Sequence, residues 1–225
     1  PPAVQILLGL LLGAGLVSTG EFLRRKSGAA RDTGYVPAAL SAAGLVTAFG
    51  SVYAAFALYG LISNTTAFAG LAVVALAALA LSRLQGPLIA ALGLIGSYGT
   101  PALIPSDQPS AWGLFTYLFV ILAASFATLR GRTWWWLGHA AIAGGAAWAL
   151  LWLKGPFMPG DIPPLGFFAL ATGFTGFFGL RGIASLTDEP AATEGRRLPP
   201  QTEIGLAGLG AQAILLSVLV HQSSH

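Results

Sequence analysis

The feature that most constrains this chain is where its charges are not. Between small clusters of Arg, Lys, Asp and Glu run eight apolar stretches, at about 3–23, 36–61, 65–82, 87–104, 111–129, 133–153, 164–181 and 203–220. A helix needs about 20 predominantly apolar residues to cross a hydrocarbon core of about 30 Å, so each stretch is read as one span. Only 8% of the residues are charged, where a soluble domain carries roughly a quarter, which leaves no material for a soluble domain. Period-two alternation, the mark of a membrane β-barrel, is absent. The expected fold is all-α, a polytopic integral membrane bundle of about eight transmembrane helices.

Residues that start and stop helices fall at the borders of these stretches. Asn64-Thr65-Thr66, Ser110 and Thr202 are placed to cap spans three, five and eight, while Gly86-Pro87, Pro109 and Pro163-Pro164 lie at or just outside first turns. The bases then fix an orientation. Arg24, Arg25, Lys26 and Arg31 follow span one, Arg83 span three, Arg130 and Arg132 span five, and Arg181, Arg196 and Arg197 span seven; Lys154 alone lies on the other side. Under the positive-inside rule the odd-numbered connections are cytoplasmic and both chain ends lie outside. The same distribution accounts for the net charge of +3 without nucleic acid.

The segment "SLTDEPAATEGRRLPP" from Ser185 to Pro200 is the one long polar stretch. The expected organisation is therefore a seven-span bundle over 1–184, a flexible cytoplasmic linker over 185–202, and an eighth helix with its outer tail over 203–225. A start at Pro1-Pro2, without methionine or a basic leader, suggests a chain cut from a longer protein. With no cysteine, disulfides, iron–sulfur clusters and zinc thiolate sites are excluded.

Small residues serve helix packing where no hydrophobic force drives association. Gly9 and Gly13 form a GxxxG in span one, Gly173, Gly176, Gly179 and Gly182 recur in span seven, and Gly205 and Gly208 smooth span eight; packing within the chain is expected, with Phe168 facing lipid. No Asp, Glu, Lys or Arg lies near the middle of any span, which argues against a proton- or sodium-coupled pump. Glu21 has Arg24 and Arg25 at i+3 and i+4, so an interfacial ion pair is expected. His139 is expected to hydrogen-bond between helices, and His221 and His225 to be solvated. Trp134-Trp135-Trp136 fits a cytoplasmic aromatic belt, with Trp148 and Trp152 at the other interface. No nucleophile elbow, phosphate loop, metal-ligand spacing or carboxylate pair is present. The chain is not expected to be an enzyme or to hold a cofactor.

One stretch reads badly for a span. In "GLIGSYGTPALIP", Gly93 to Pro105, Ser97, Tyr98, Gly99, Thr100 and Pro101 weaken a helix at a depth where the backbone has no water. Uncharged polar groups gather at the same outer level: Gln5, Tyr53, Tyr59, Thr116, Tyr117 and Gln212. The expectation is a break from Gly96 to Pro101 that lines an outward-facing polar pocket, with Ser97, Tyr98 and Thr100 as polar groups and Tyr53, Tyr59, Tyr117 and Gln212 as further ligand-binding candidates. An aromatic belt over a frayed helix end is the competing reading.

"VPAALSAAGLVTAFGSVYAAFALYGLI" and "LIAALGLIGSYGTPAL" resemble the bacterial membrane-protein family catalogued as domain of unknown function 2339, over about Val36 to Leu153. The most specific signs are Tyr53-Ala-Ala and Gly96-x-Tyr98-x-Thr100-Pro101. The resemblance implies a longer parent protein and brings no activity or catalytic residues. Spans two to four, with "YGLISNTTAF" and "SRLQGP" as turns, also look like half of a drug/metabolite transporter unit. The reading is a bacterial inner-membrane, transporter-like or carrier protein for an uncharged or amphiphilic solute or lipid. The alternative is a structural or assembly subunit of a larger membrane complex. Its expected partners are membrane lipids, other membrane subunits or the rest of a longer parent chain.

Overall fold

The computed structural model describes residues 1–26, 35–104, 109–129, 134–155, 157–184, 206–214 and 217, with the backbone alone over 176–184. The segment 185–202, Arg31, Arg130, Arg132, Arg196, Arg197, Thr202, Gly205, His221 and His225 lie outside the described residues, as do the surroundings of Gly176, Gly179, Arg181 and Gly182. Seven helices follow one another: α1 Pro2–Lys26, α2 Val36–Ala57, α3 Asn64–Gln85, α4 Pro87–Leu103, α5 Ala111–Leu129, α6 Trp135–Lys154 and α7 Ile162–Ala184. A further helical stretch, α8, covers 206–214. Among the described residues five helices, α1, α2, α3, α5 and α6, are long and apolar enough to cross a membrane, and α4 is a shorter apolar helix. The chain is a helical membrane protein.

It divides into two units, Pro1–Asp107 and Gln108–His225. In the first, α1 lies antiparallel on α2 through glycine: Gly9 faces Ser51, Gly13 faces Gly44 and Ala48, and Gly20 faces Ser41 and the carbonyl of Pro37. A Cβ on Gly13 would come 2.8 Å from the Gly44 carbonyl oxygen, so the backbones touch as small residues permit. The α3–α4 hairpin uses the same device, with Gly93 against Ala78 and Leu79. It turns at Gly86, whose φ of 108° suits glycine, and Pro87 then starts α4. Two apolar clusters fill the unit. Leu45, Ala78 and Ile89, with Val17 of α1 against them, lie toward the end that carries the bases. Ala67, Leu71 and Ile104, ringed by Phe49, Val52, Tyr53, Phe56, Ile62 and Phe68, lie toward the other.

In the second unit α5 packs on α6 and α7. Phe115, without exposed surface, meets Trp152 edge-on at 6.0 Å between centroids and Phe168 at 5.5 Å. Phe168 is thus core and not lipid-facing, because Gly145 of α6 leaves the space its ring fills. Before α7, a 3-10 turn at Pro159–Asp161 is held by the Asp161 carboxylate, whose Oδ2 accepts from Trp152 Nε1 and Met158 N at 3.0 Å each. Gly173 has the side chain of Gln212 in the place its own Cβ would occupy, so α8 packs on α7.

Local details follow the sequence with two changes. The cap of α3 is Ser63, one residue before the Asn64-Thr65-Thr66 run, accepting from Thr66 N at 3.3 Å. Ser110 accepts from Gly113 N at 3.2 Å and caps α5 as expected. His139 Nδ1 pairs with the Trp135 carbonyl at 2.9 Å, one turn back on its own helix and not across helices. Trp152 is buried, with its indole N–H on Asp161. The expected ion pair is present: Glu21 accepts from Arg24 Nη2 at 2.6 Å and Arg25 Nε at 2.8 Å.

Candidate functional site

The expected break in α4 does not exist. The helix runs unbroken from Pro87 to Leu103, through Thr100 and Pro101, and closes with Ile104 N on the Thr100 carbonyl at 3.2 Å. Proline in the last turn forfeits one backbone bond and leaves only two helical residues beyond it, so its cost is confined to the end. Apolar surroundings favour keeping every remaining backbone bond inside the helix. The hydroxyls reinforce this. Ser97 Oγ donates to the Gly93 carbonyl and Thr100 Oγ1 to the Gly96 carbonyl, each at 2.7 Å, and neither residue has exposed surface. Their protons serve α4 itself, and only lone pairs are left for another partner.

The tyrosines are placed differently. Tyr98 is half-buried and flanks the open side of α4, where Ile95 is 70% exposed and Gly99 would offer an added Cβ no neighbour within 4 Å. The missing side chain leaves open space at Gly99, next to Tyr98 in the chain. Gly96, one turn back, faces Phe49 of α2 and Ala75 of α3. Tyr53 packs with the cluster that includes Ile104, just beyond the end of α4. Tyr59 Oη donates to Gln5 Oε1 at 3.0 Å in an exposed position, tying the start of α1 to the chain just past α2. The structure thus gathers Tyr53, Ser97, Tyr98 and Thr100 at one end of the first unit, with Tyr59 and Gln5 as a polar pair at the same end. Tyr117 and Gln212 belong to the second unit, where Tyr117 is buried on α5 and Gln212 lies against Gly173.

The model of a family described as "Predicted membrane protein (DUF2339)" matches residues 1–222. The chain belongs to this family. The match of this DUF2339 protein extends well beyond the stretch from Val36 to Leu153 that carries the resemblance in the sequence, and takes in α1, α7 and α8. No curated protein and no solved structure matches it.

Two polar groups of the DUF2339 chain escaped the sequence reading. Ser41 Oγ, in the α1–α2 seam against Gly20, and both amide atoms of Gln85, at the end of α3, are buried without a hydrogen-bond partner among the described residues. An amide one residue before Gly-Pro looks in sequence like turn material, and its burial has no local signature.

Proposed function

We propose that this protein is a transporter-like or carrier protein of the bacterial inner membrane that handles an uncharged or amphiphilic solute or lipid, taken up beside Tyr98 in the outer half of α4. The observation that carries this reading is the open space at Gly99 on a helix face with Ile95 exposed. A polar tyrosine next to open apolar helix surface suits an amphiphile and not an ion. The lack of mid-span charges supports the same class, since intramembrane ion pathways are lined by ionisable groups. Orientation follows from the bases at the ends of α1 and α3, which set that end of the first unit toward the cytoplasm and Tyr98 toward the outside.

The test is native mass spectrometry of protein released gently from membranes. A retained amphiphile should be lost from Gly99→Leu, which fills the open space there, and reduced in Tyr98→Phe, which removes one hydroxyl and almost no volume. Identical adducts in wild type and both variants would refute the reading.

A second reading, a structural or assembly subunit, is favoured by one observation. Leu7, Leu8, Leu11 and Leu12 of α1 are 56–60% exposed, a broad apolar stripe on a helix that packs mainly on α2. It expects the protein to leave the membrane in a larger complex that Leu8→Ala and Leu11→Ala weaken, with Gly99→Leu silent.

A further inference from the structure

The second unit presents an open aromatic face where α5 and α7 lie side by side. Trp112, Thr116 and Phe119 stand at i, i+4 and i+7 and so share one side of α5. The Phe167 ring of α7 bridges them, with its centroid 6.3 Å from that of Trp112 and 5.8 Å, edge-on, from that of Phe119. These rings touch one another without being covered, since Trp112 is 54% and Phe167 45% exposed. The exposed strip continues along α7 through Leu170 and Phe174, at i+3 and i+7 from Phe167, and includes Val120 on α5. Both helices start at the outer level under the positive-inside rule, which sets the face in the outer half of the membrane.

Exposed rings alone call for nothing beyond lipid chains. Two polar groups set this face apart. Thr19, Thr47, Thr100, Thr128, Thr172 and Thr175 each donate their hydroxyl to the carbonyl one turn back, which is how a helix in apolar surroundings absorbs a threonine. Thr116 is exposed and makes no such bond, nor any other among the described residues. The indole N–H of Trp112, one turn away, also has no acceptor among the described residues, whereas that of Trp152 is taken by Asp161. Donors left without acceptors on an apolar face are costly until something completes them. Here two of them stand at the edge of one ring contact, on the surface, where a molecule in the bilayer can reach them.

We infer that this face binds the headgroup of an isoprenoid quinone from the outer half of the bilayer. A quinone ring is flat and uncharged, and its carbonyl oxygens accept hydrogen bonds and donate none. It therefore complements a face that offers aromatic rings, two unmatched donors and no charged side chain. The ring stacks on Trp112 and Phe167, Thr116 Oγ1 and Trp112 Nε1 donate to its carbonyl oxygens, and the methyl-branched tail follows Leu170 and Phe174. The ester carbonyl of a phospholipid could use the same donors, but it has no ring to set against Phe167, and this favours the quinone. The inference concerns binding alone, with no redox step. It lies in the second unit and stands apart from the Tyr98 reading, which concerns the first.

The full chain in detergent is titrated with a short-chain ubiquinone, with bound quinone counted by native mass spectrometry. Binding should saturate and persist in excess phosphatidylethanolamine, and geranylgeraniol, which has an isoprenoid tail without the ring carbonyls, should not compete. Thr116→Val keeps the shape and removes the hydroxyl, Trp112→Phe keeps a ring and removes the N–H, and Phe167→Leu removes the bridging ring. Each should weaken binding about fivefold. All three side chains lie on the surface or at its edge, so melting temperatures should stay at the wild-type value. Val73→Ala, on an exposed position of α3 in the first unit, should bind as wild type. Absent or non-saturable binding, or three variants that all bind as wild type, would overturn the inference. Displacement by phosphatidylethanolamine would overturn it in favour of an ordinary lipid-facing surface, and competition by geranylgeraniol in favour of a site for the tail alone.

Discussion

Replacing Gly44 by alanine tests how α1 is held. A Cβ at Gly44 would lie 2.5 Å from the Gly13 carbonyl oxygen, 2.8 Å from Val17 Cγ2 and 2.9 Å from Val17 N. Two of these are backbone atoms, so no rotamer change relieves the clash and the helices must part by several tenths of an ångström along the seam. Overpacking of this kind costs about 1–3 kcal/mol. Taking the middle, about 2 kcal/mol, the population with α1 detached rises about 30-fold, since about 1.4 kcal/mol is a factor of ten. All six tryptophans lie in the second unit, so none reports from within the α1–α2 seam. The chain has no cysteine, which allows a better probe: Ser41→Cys, at a position in the seam with no exposed surface. In that background, the alkylation rate by N-ethylmaleimide in mild detergent follows the open population. Gly44→Ala should raise it about 30-fold. Gly15→Ala, on the facing helix α1 and with nothing within 4 Å of an added Cβ, should leave it unchanged or lower it through better helix propensity. Equal rates in the two variants would refute the claim that backbone contact through Gly13 and Gly44 holds α1.

Three further outcomes are expected. Gly93→Leu, whose Cβ would sit 2.9 Å from Leu79 N, should destabilise the α3–α4 hairpin by roughly 2 kcal/mol or more, while Gly99→Leu should not, as judged by heating in detergent followed by size-exclusion chromatography. Asp161→Asn removes the charge from the acceptor shared by Trp152 Nε1 and Met158 N and should cost about 1 kcal/mol; here a tryptophan fluorescence melt is the suitable readout, and an unshifted midpoint would count against the clamp. Single cysteines at Gly160 and Ser63 should label with an impermeant maleimide in intact spheroplasts and one at Leu84 only after lysis, the reverse pattern overturning the orientation.

Much of the fold was legible because membrane helices are bounded by chemistry that is local in sequence. Gly86-Pro87 and Ser110 mark the starts of α4 and α5 within a residue, and the Glu21–Arg24–Arg25 triplet fixes the last turn of α1. Errors at helix ends were small and have causes: α2 stops at Ala57, before the expected 61, as the chain turns through Gly60 at φ 58°. Tertiary facts were harder. Phe168 reads as an ordinary lipid-facing aromatic until Gly145 on another helix makes room for it. The division near Asp107 left no mark in composition, since the stretch around it resembles the other turns. The largest misreading was α4. Gly96, Gly99 and Pro101 are helix breakers by water-based propensities, but in apolar surroundings the backbone has no better partner than its own helix. Ser97 and Thr100, taken as free polar groups, spend their protons on the turn before them. That Gly99 faces open space next to Tyr98 becomes legible only once α4 is seen to be continuous.

The most direct test of the central claim is a cryo-electron microscopy map of the protein in nanodiscs made from native lipid. The account predicts an unbroken α4 from Pro87 through Leu103 with elongated solute or lipid density against Gly99 and Tyr98, absent from Gly99→Leu. A map with only disordered bilayer against Gly99, identical in wild type and variant, would contradict it.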